Sequence, residues 1–281
     1  MKLERYDSVY LSPHLDDVAL SCPCTLLREV EAGARVLVAT LFSHPGPADA
    51  GAFRRDDYAA RWAEDARAMA VLGADFLHAG LLDAPFRCSL YHNFEGILFG
   101  RDPGDAATLE QAKAVVAEIL ERAKPQRVYA PLGVGEHIDH RLTHEAAPPG
   151  SLFYEDRPYA FVRDAVALRL AVLAAGPTPD LKAGFFESLL KGPMAAAFYG
   201  DPAQQQAVRE GFMRLAASCP AVTRQASARV EPGDAALAET SAELYASQIT
   251  AILGGRGRYA KAATIDGLYL ERFWVFSGLP E

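Results

Sequence analysis

Short apolar runs alternate with longer amphipathic stretches along the first half of the chain. Ser8-Val9-Tyr10-Leu11 is the first run, and Arg35-Val36-Leu37-Val38-Ala39-Thr40-Leu41-Phe42 is a longer one rich in β-formers. Phe76-Leu77-His78, Arg127-Val128-Tyr129-Ala130 and Ser151-Leu152-Phe153-Tyr154 extend the series to five. Between them, residues 55–72 place Tyr58, Trp62, Ala66, Met69 and Leu72 near helical spacing and stop at Gly73. Residues 106–123 repeat this with Leu109, Ala112, Val116, Ile119 and Leu120, ending before Pro125. Continuous apolar strands are buried on both faces, and a strand–helix–strand rhythm joins parallel strands through right-handed crossovers. The expected class is α/β: a doubly wound, mostly parallel sheet of order 3-2-1-4-5.

The second half is less regular. Residues 159–175, 203–217 and 234–253 read as helices, 176–180 and 192–202 as loops, and Leu268–Trp274 as a returning strand. The expected organisation is one domain over 1–281, with a catalytic core at 1–155 and a C-terminal elaboration at 156–281. A composition of 50% hydrophobic and 23% charged residues supports a large core without disulfides or structural metal. Lys plus Arg is 28 against 36 Asp plus Glu, giving a net charge of −8 and no basic run to meet a phosphate backbone. This argues against nucleic acid and anionic membranes as partners. No uncharged apolar run reaches the roughly 18 residues of a membrane span, and the N-terminal residues lack a signal-peptide pattern. Four cysteines do not make a disulfide framework in a chain of this size, so the expected compartment is the cytoplasm. Homo-oligomerisation is left open.

Two polar clusters stand out. Ser12-Pro13-His14-Leu15-Asp16-Asp17 follows the first strand, and Gly133-Val134-Gly135-Glu136-His137-Ile138-Asp139-His140 follows the fourth. Taken alone, Asp16 and Asp17 could simply open a helix, and either histidine could be a surface or core residue. Ligands of doubly wound sheets, however, bind beyond the carboxyl ends of strands where strand order reverses, here between strands one and four. Both clusters meet there. Imidazole and carboxylate donors suit Zn²⁺ or another borderline dication such as Fe²⁺, and three protein ligands plus water describe a catalytic zinc site. An adjacent free carboxylate is then a ready general base.

Ser12–Asp17 resembles the His-Pro-Asp-Asp motif of the LmbE-like, or PIG-L-type, N-acetylglucosaminyl deacetylases, and His137-Ile138-Asp139-His140 resembles that family's His-x-Asp-His motif. Residues 1–155 resemble its Rossmann-like core, including Arg61-x-x-Glu64 followed by Leu72-Gly73. Tyr245–Gln248 and Glu271–Trp274 resemble tail features of a longer bacterial subgroup. The resemblance implies zinc held by His14, Asp17 and His140, with Asp16 as the base that deprotonates the metal-bound water. It implies His137, as imidazolium, at the oxyanion and the leaving amine, and Asp139 hydrogen-bonded to a histidine. The implied activity is removal of an N-acyl, chiefly N-acetyl, group from an amino sugar or glycoconjugate. The alternative is a metal-dependent hydratase or amidase of the same fold acting on a small metabolite.

The sequence departs from these motifs in three places. Leu15 stands where Pro is usual, Val18 where Glu is frequent, and Ser21-Cys22-Pro23-Cys24 where glycines are common. Pro23 predicts a break in the helix that starts at Asp17. Cys22 and Cys24, without a second cysteine pair, read as small buried residues rather than ligands. Arg61 is the candidate substrate contact, while Asp83, Glu155 and Asp156 are rim positions equally suited to capping turns.

Overall fold

The computed structural model describes residues 5–191 and 201–277. The chain runs β1 (Ser8–Ser12), α1 (Asp17–Ser21), α2 (Pro23–Glu31), β2 (Val36–Thr40), α3 (Asp57–Leu72), β3 (Asp75–His78), α4 (Phe94–Phe99) and α5 (Asp105–Ala123). It continues through β4 (Arg127–Pro131), α6 (Ile138–Ala146), β5 (Leu152–Tyr154), α7 (Ala165–Val172), α8 (Ala183–Lys191) and α9 (Pro202–Ala217). It closes with β6 (Gln225–Pro232), α10 (Ala235–Glu243), α11 (Ala246–Leu253), α12 (Tyr259–Ala263), β7 (Thr264–Ile265) and β8 (Leu268–Ser277).

The sheet order is β3-β2-β1-β4-β5-β8-β6, and its first five strands are parallel in the expected 3-2-1-4-5 arrangement. Successive residues face opposite layers, as the pleat requires. Val9, Leu11, Leu37, Ala39 and Ala130 enter one core, while Tyr10, Val36, Val38, Tyr129 and Tyr154 enter the other. The second half then completes the same sheet. β8 pairs antiparallel with β5, placing Phe273 opposite Tyr154, and β6 pairs antiparallel with β8. β6 has little apolar alternation, since most of its residues are exposed at the sheet edge, and so left no strand signal.

Two expectations about helices change. Residues 159–175 are a 3-10 turn at Tyr159–Phe161 followed by α7, separated where Asp164 turns left-handed at φ 61°. Residues 234–253 form two helices, broken at Leu244–Tyr245. Of the loop expected at 192–202, residues 192–200 lie outside the described residues, and Asp201 caps α9 through the N–H of Ala203. The break at Pro23 is present: α1 ends at Ser21 and α2 begins with Pro23 in its first turn. No side chain next to that helix start caps it. Glu271 of β8 does so instead, its carboxylate accepting from Cys24 N and Thr25 N at 2.8 Å each. A buried anion at a helix N-terminus also complements the dipole. This cap anchors the returning strand to the start of the chain. Among the described residues no helix is long and apolar enough to cross a membrane.

Candidate active site

β1 and β4 are neighbours, so the segments leaving their carboxyl ends face each other. Asp17 opens α1 and accepts the backbone N–H of His14 at 2.8 Å, which closes the β1–α1 turn. His137 is the N-cap of α6, with Asp139 and His140 in its first turn. Asp17 Oδ2 lies 3.4 Å from His14 Nδ1 and 3.4 Å from His140 Nε2. Ligands held about 2.0–2.1 Å from a tetrahedral ion are separated by about 3.3–3.4 Å, so these three side chains fit a divalent cation. The far nitrogen of each ring has its own carboxylate. His14 Nε2 is 3.1 Å from Asp139 Oδ2, and His140 Nδ1 is 2.6 Å from Asp156 Oδ1. Such pairing fixes the ring orientation and, in the neutral ring that a cation requires, leaves the facing nitrogen bare.

The electrostatics separate the two adjacent carboxyls. Burial and the Asp17 charge raise the Asp16 pKa against the pull of Arg61. Burial would raise Asp17 as well, but His140 and His14 outweigh it and hold that carboxyl well below its ordinary range. Burial opposes protonation of His14 and His140, yet both are raised, His14 by Asp83, Asp139 and Asp17, and His140 by Asp17 and Asp156. Four buried carboxylates around two imidazoles form a field that seeks positive charge. His137 goes the other way, lowered by burial and then by His14 and His140. Its Nδ1 accepts the backbone N–H of Asp139 at 3.2 Å, so the neutral ring carries its proton on Nε2.

Around this centre lie the other candidates, Arg61, Asp83, Glu155 and Asp156, together with Arg87, which the sequence did not single out. Arg61 lies over the Tyr58 ring and bridges Asp16 at 3.7 Å and Asp83 at 3.8 Å. Asp83 is buried, receives the Tyr58 hydroxyl and sits 3.5 Å from His14 Nε2, so it belongs to the site's interior. Arg87 holds Asp139 by a 2.5 Å ion pair and also donates to the Leu82 carbonyl. Asp156 is completely buried behind His140, whereas Glu155 turns away to Arg272 and Trp274. Cys22 and Cys24 are buried outside the site, with Cys24 Sγ against the Asp234 carbonyl. Arg87 carries no sequence signal, because it acts on a motif residue 52 positions away.

His14, Asp16, Asp17, His137 and His140 form one end of a cleft of about 440 Å³. Its other walls include Phe53, Tyr58, Arg61, Phe94 and Ile97. Gln248, Ala251 and Ile252 of α11 close the side supplied by the second half of the chain. That helix is tied to α3 by Tyr245 to Asp65 at 2.7 Å and by Ser247 to both Glu64 oxygens. The Arg61-x-x-Glu64 and Tyr245–Gln248 patterns thus form the two sides of one joint.

Residues 9–149 match the profile of the PIG-L family, GlcNAc-PI de-N-acetylase. The chain is 30% identical over 223 residues to 2'-N-acetylparomamine deacetylase of Streptomyces fradiae, covering 74% of this chain and 78% of that protein. In structure it is similar to a deacetylase of the teicoplanin biosynthesis pathway, with a TM-score of 0.64 and 21% identity over 96% of this chain and 98% of the other. It is also similar to A40926 pseudoaglycone deacetylase, with a TM-score of 0.59 and 20% identity over 98% of each chain. A further structure of the teicoplanin deacetylase is described as its zinc-inhibited form. The match over residues 9–149 and the identity to the paromamine enzyme place this chain in the PIG-L family.

Proposed function

We propose that the protein is a metal-dependent N-deacetylase that hydrolyses the acetamide of an N-acetylated amino sugar or glycoconjugate. The observation that carries this reading is the placement of Asp16, whose pKa is raised, beside the convergent His14, Asp17 and His140 and in one cleft with His137. Zinc is the proposed ion, although two imidazoles and a carboxylate suit Fe²⁺ as well. When bound, such an ion supplies a Lewis acid for the amide carbonyl and a more acidic water.

Asp16 is not one of the three convergent ligands, so its carboxylate is left to take a proton from the attacking water. The same group, now protonated, can return that proton to the leaving amine. The resemblance implies an imidazolium at His137, but burial and the neighbouring His14 and His140 favour its neutral form, so the ring offers Nε2–H to the developing oxyanion and the proton for the amine is left to Asp16. Asp139 and Asp156 keep the ligand rings turned toward the cation. Arg61 lines the cleft and makes only long ion pairs to Asp16 and Asp83, which leaves guanidinium donors for a sugar hydroxyl or carbonyl. The four unpaired cysteines fit a reducing compartment, and the cytoplasm is the proposed location.

The test is acetate release by metal-loaded protein from N-acetylated amino sugars, including N-acetylglucosamine and 2'-N-acetylparomamine. The expected result is metal-dependent release. Absence of acetate from every member of the panel overturns the reading and favours hydratase chemistry.

A further inference from the structure

Six residues, Leu132 to His137, connect β4 to α6 and carry His137 into the cleft. Three of them are left-handed: Gly133 at φ 86°, Gly135 at 87° and Glu136 at 68°. Glycine accepts this conformation freely, but Glu136 does not, and a side chain held there costs about 1–2 kcal/mol. Glu136 immediately precedes His137, so its backbone angles set the direction in which α6 and the His137 ring begin.

Buried contacts hold that conformation. Asp156 accepts the N–H groups of Gly133 and Val134 at 2.7 and 2.8 Å. Arg169 of α7 donates Nε to the Leu132 carbonyl at 2.9 Å, and its Nη1 lies 3.3 Å from both carboxylate oxygens of Glu136. One guanidinium therefore grips both ends of the turn. A Cβ at Gly133 would lie 2.7 Å from Arg169 Nη2, so the guanidinium packs directly against the backbone there. Arg169 and Glu136 are only 3% and 2% exposed, and neither lines the cleft. A buried ion pair is a costly way to fill space, since apolar residues of similar volume often do as well or better. Its location at the one non-glycine left-handed residue beside His137 points to conformational control.

We infer that Arg169, supplied by the second half of the chain, is a positioning residue that clamps the left-handed turn at Glu136 and thereby sets the His137 ring. The clamp acts on orientation and leaves the cation ligands alone, because His140 has its own support in Asp156. The chemical importance of the clamp rests on the role proposed for His137, but its structural effect can be read without substrate.

The experiment uses long-range ¹H–¹⁵N spectra of the imidazole rings in the full chain, with His137 assigned by loss of its signals in His137→Gln. The wild type is expected to show His137 as a single Nε2–H tautomer. Arg169→Met with Glu136→Gln removes the clamp without leaving a lone buried charge. This variant should move both His137 nitrogens toward exchange-averaged positions, keep metal stoichiometry, and lower kcat for acetate release by about 10–100-fold with KM unchanged. Arg169→Met with Glu136→Gly should restore the single tautomer and most of kcat, because glycine adopts φ 68° without the strain that the clamp offsets at Glu136. If the first variant does not fold, Arg169→Lys must show the same shift, since an ammonium cannot span the Leu132 carbonyl and the carboxylate in the same geometry. Unchanged His137 signals in the folded clamp variant, or no recovery with glycine, overturn the inference. Undiminished acetate release by His137→Gln would instead overturn the chemical role of His137, leaving the spectroscopic result to stand on its own.

Discussion

Replacing Asp156 with Asn probes how the candidate cation site depends on a residue that is not itself a ligand. The Asp156 carboxylate is fully buried and serves three donors: His140 Nδ1 at 2.6 Å, Gly133 N at 2.7 Å and Val134 N at 2.8 Å. Asn has the same shape, but one of its terminal atoms is a donor. With the amide oxygen on the two backbone N–H groups, the NH₂ faces the protonated Nδ1 of His140. The ring can escape this donor–donor conflict by moving its proton to Nε2. That is the atom 3.4 Å from Asp17 which must be bare to bind a cation. Supporting partners of this kind are worth about 10–100-fold in metal affinity, or about 1.4–2.7 kcal/mol. Competition against a chromophoric chelator measures the change. The backbone contacts survive, so the thermal midpoint should move little. Unchanged affinity in a folded Asp156→Asn protein would refute the argument that His140 ligates through Nε2.

Three further outcomes are expected. Asp16→Asn should keep its metal and lose about 10²–10⁴-fold in turnover, measured as acetate release beside metal content; full activity removes Asp16 as the base. Glu271→Gln weakens the cap on α2 by removing the charge that Cys24 N, Thr25 N and Thr25 Oγ1 share, and should cost about 1–3 kcal/mol in denaturant unfolding. Burial, aided by Arg169, holds His144 down to about 3, so the folded protein resists protonating it while the unfolded chain does so near its ordinary value. Its contribution to stability is therefore complete above about pH 6.5 and is lost as pH falls toward 3. His144→Asn should flatten the acid limb of a stability–pH curve, and an identical slope would show that another group governs it.

The parallel half of the sheet was legible because its strands are buried on both faces and read as unbroken apolar runs, as Val36–Thr40 does. The two site clusters were legible because topology alone brings the ends of adjacent strands together. β6 was not, since an edge strand facing water carries no apolar code. Nor was the break before α11, where Leu244 and Tyr245 keep helical apolar spacing while the Tyr245 hydroxyl reaches Asp65, 180 positions away. Arg87 shares that difficulty, because its role exists only through Asp139, 52 positions away. Asp83 and Asp156 were legible as polar rim positions, but not as the partners of His14 and His140. Asp139 shows the same effect within a motif. Its carboxylate goes to His14, while His137 two residues before it receives only the backbone N–H.

Anomalous scattering from a zinc-loaded crystal at the zinc edge tests the site most directly. The expected result is one peak about 2.0–2.2 Å from His14 Nδ1, Asp17 Oδ2 and His140 Nε2, with Asp16 unbound beside it. A peak on His14 Nε2, His137 and Asp139, or none in this cleft, would contradict the account.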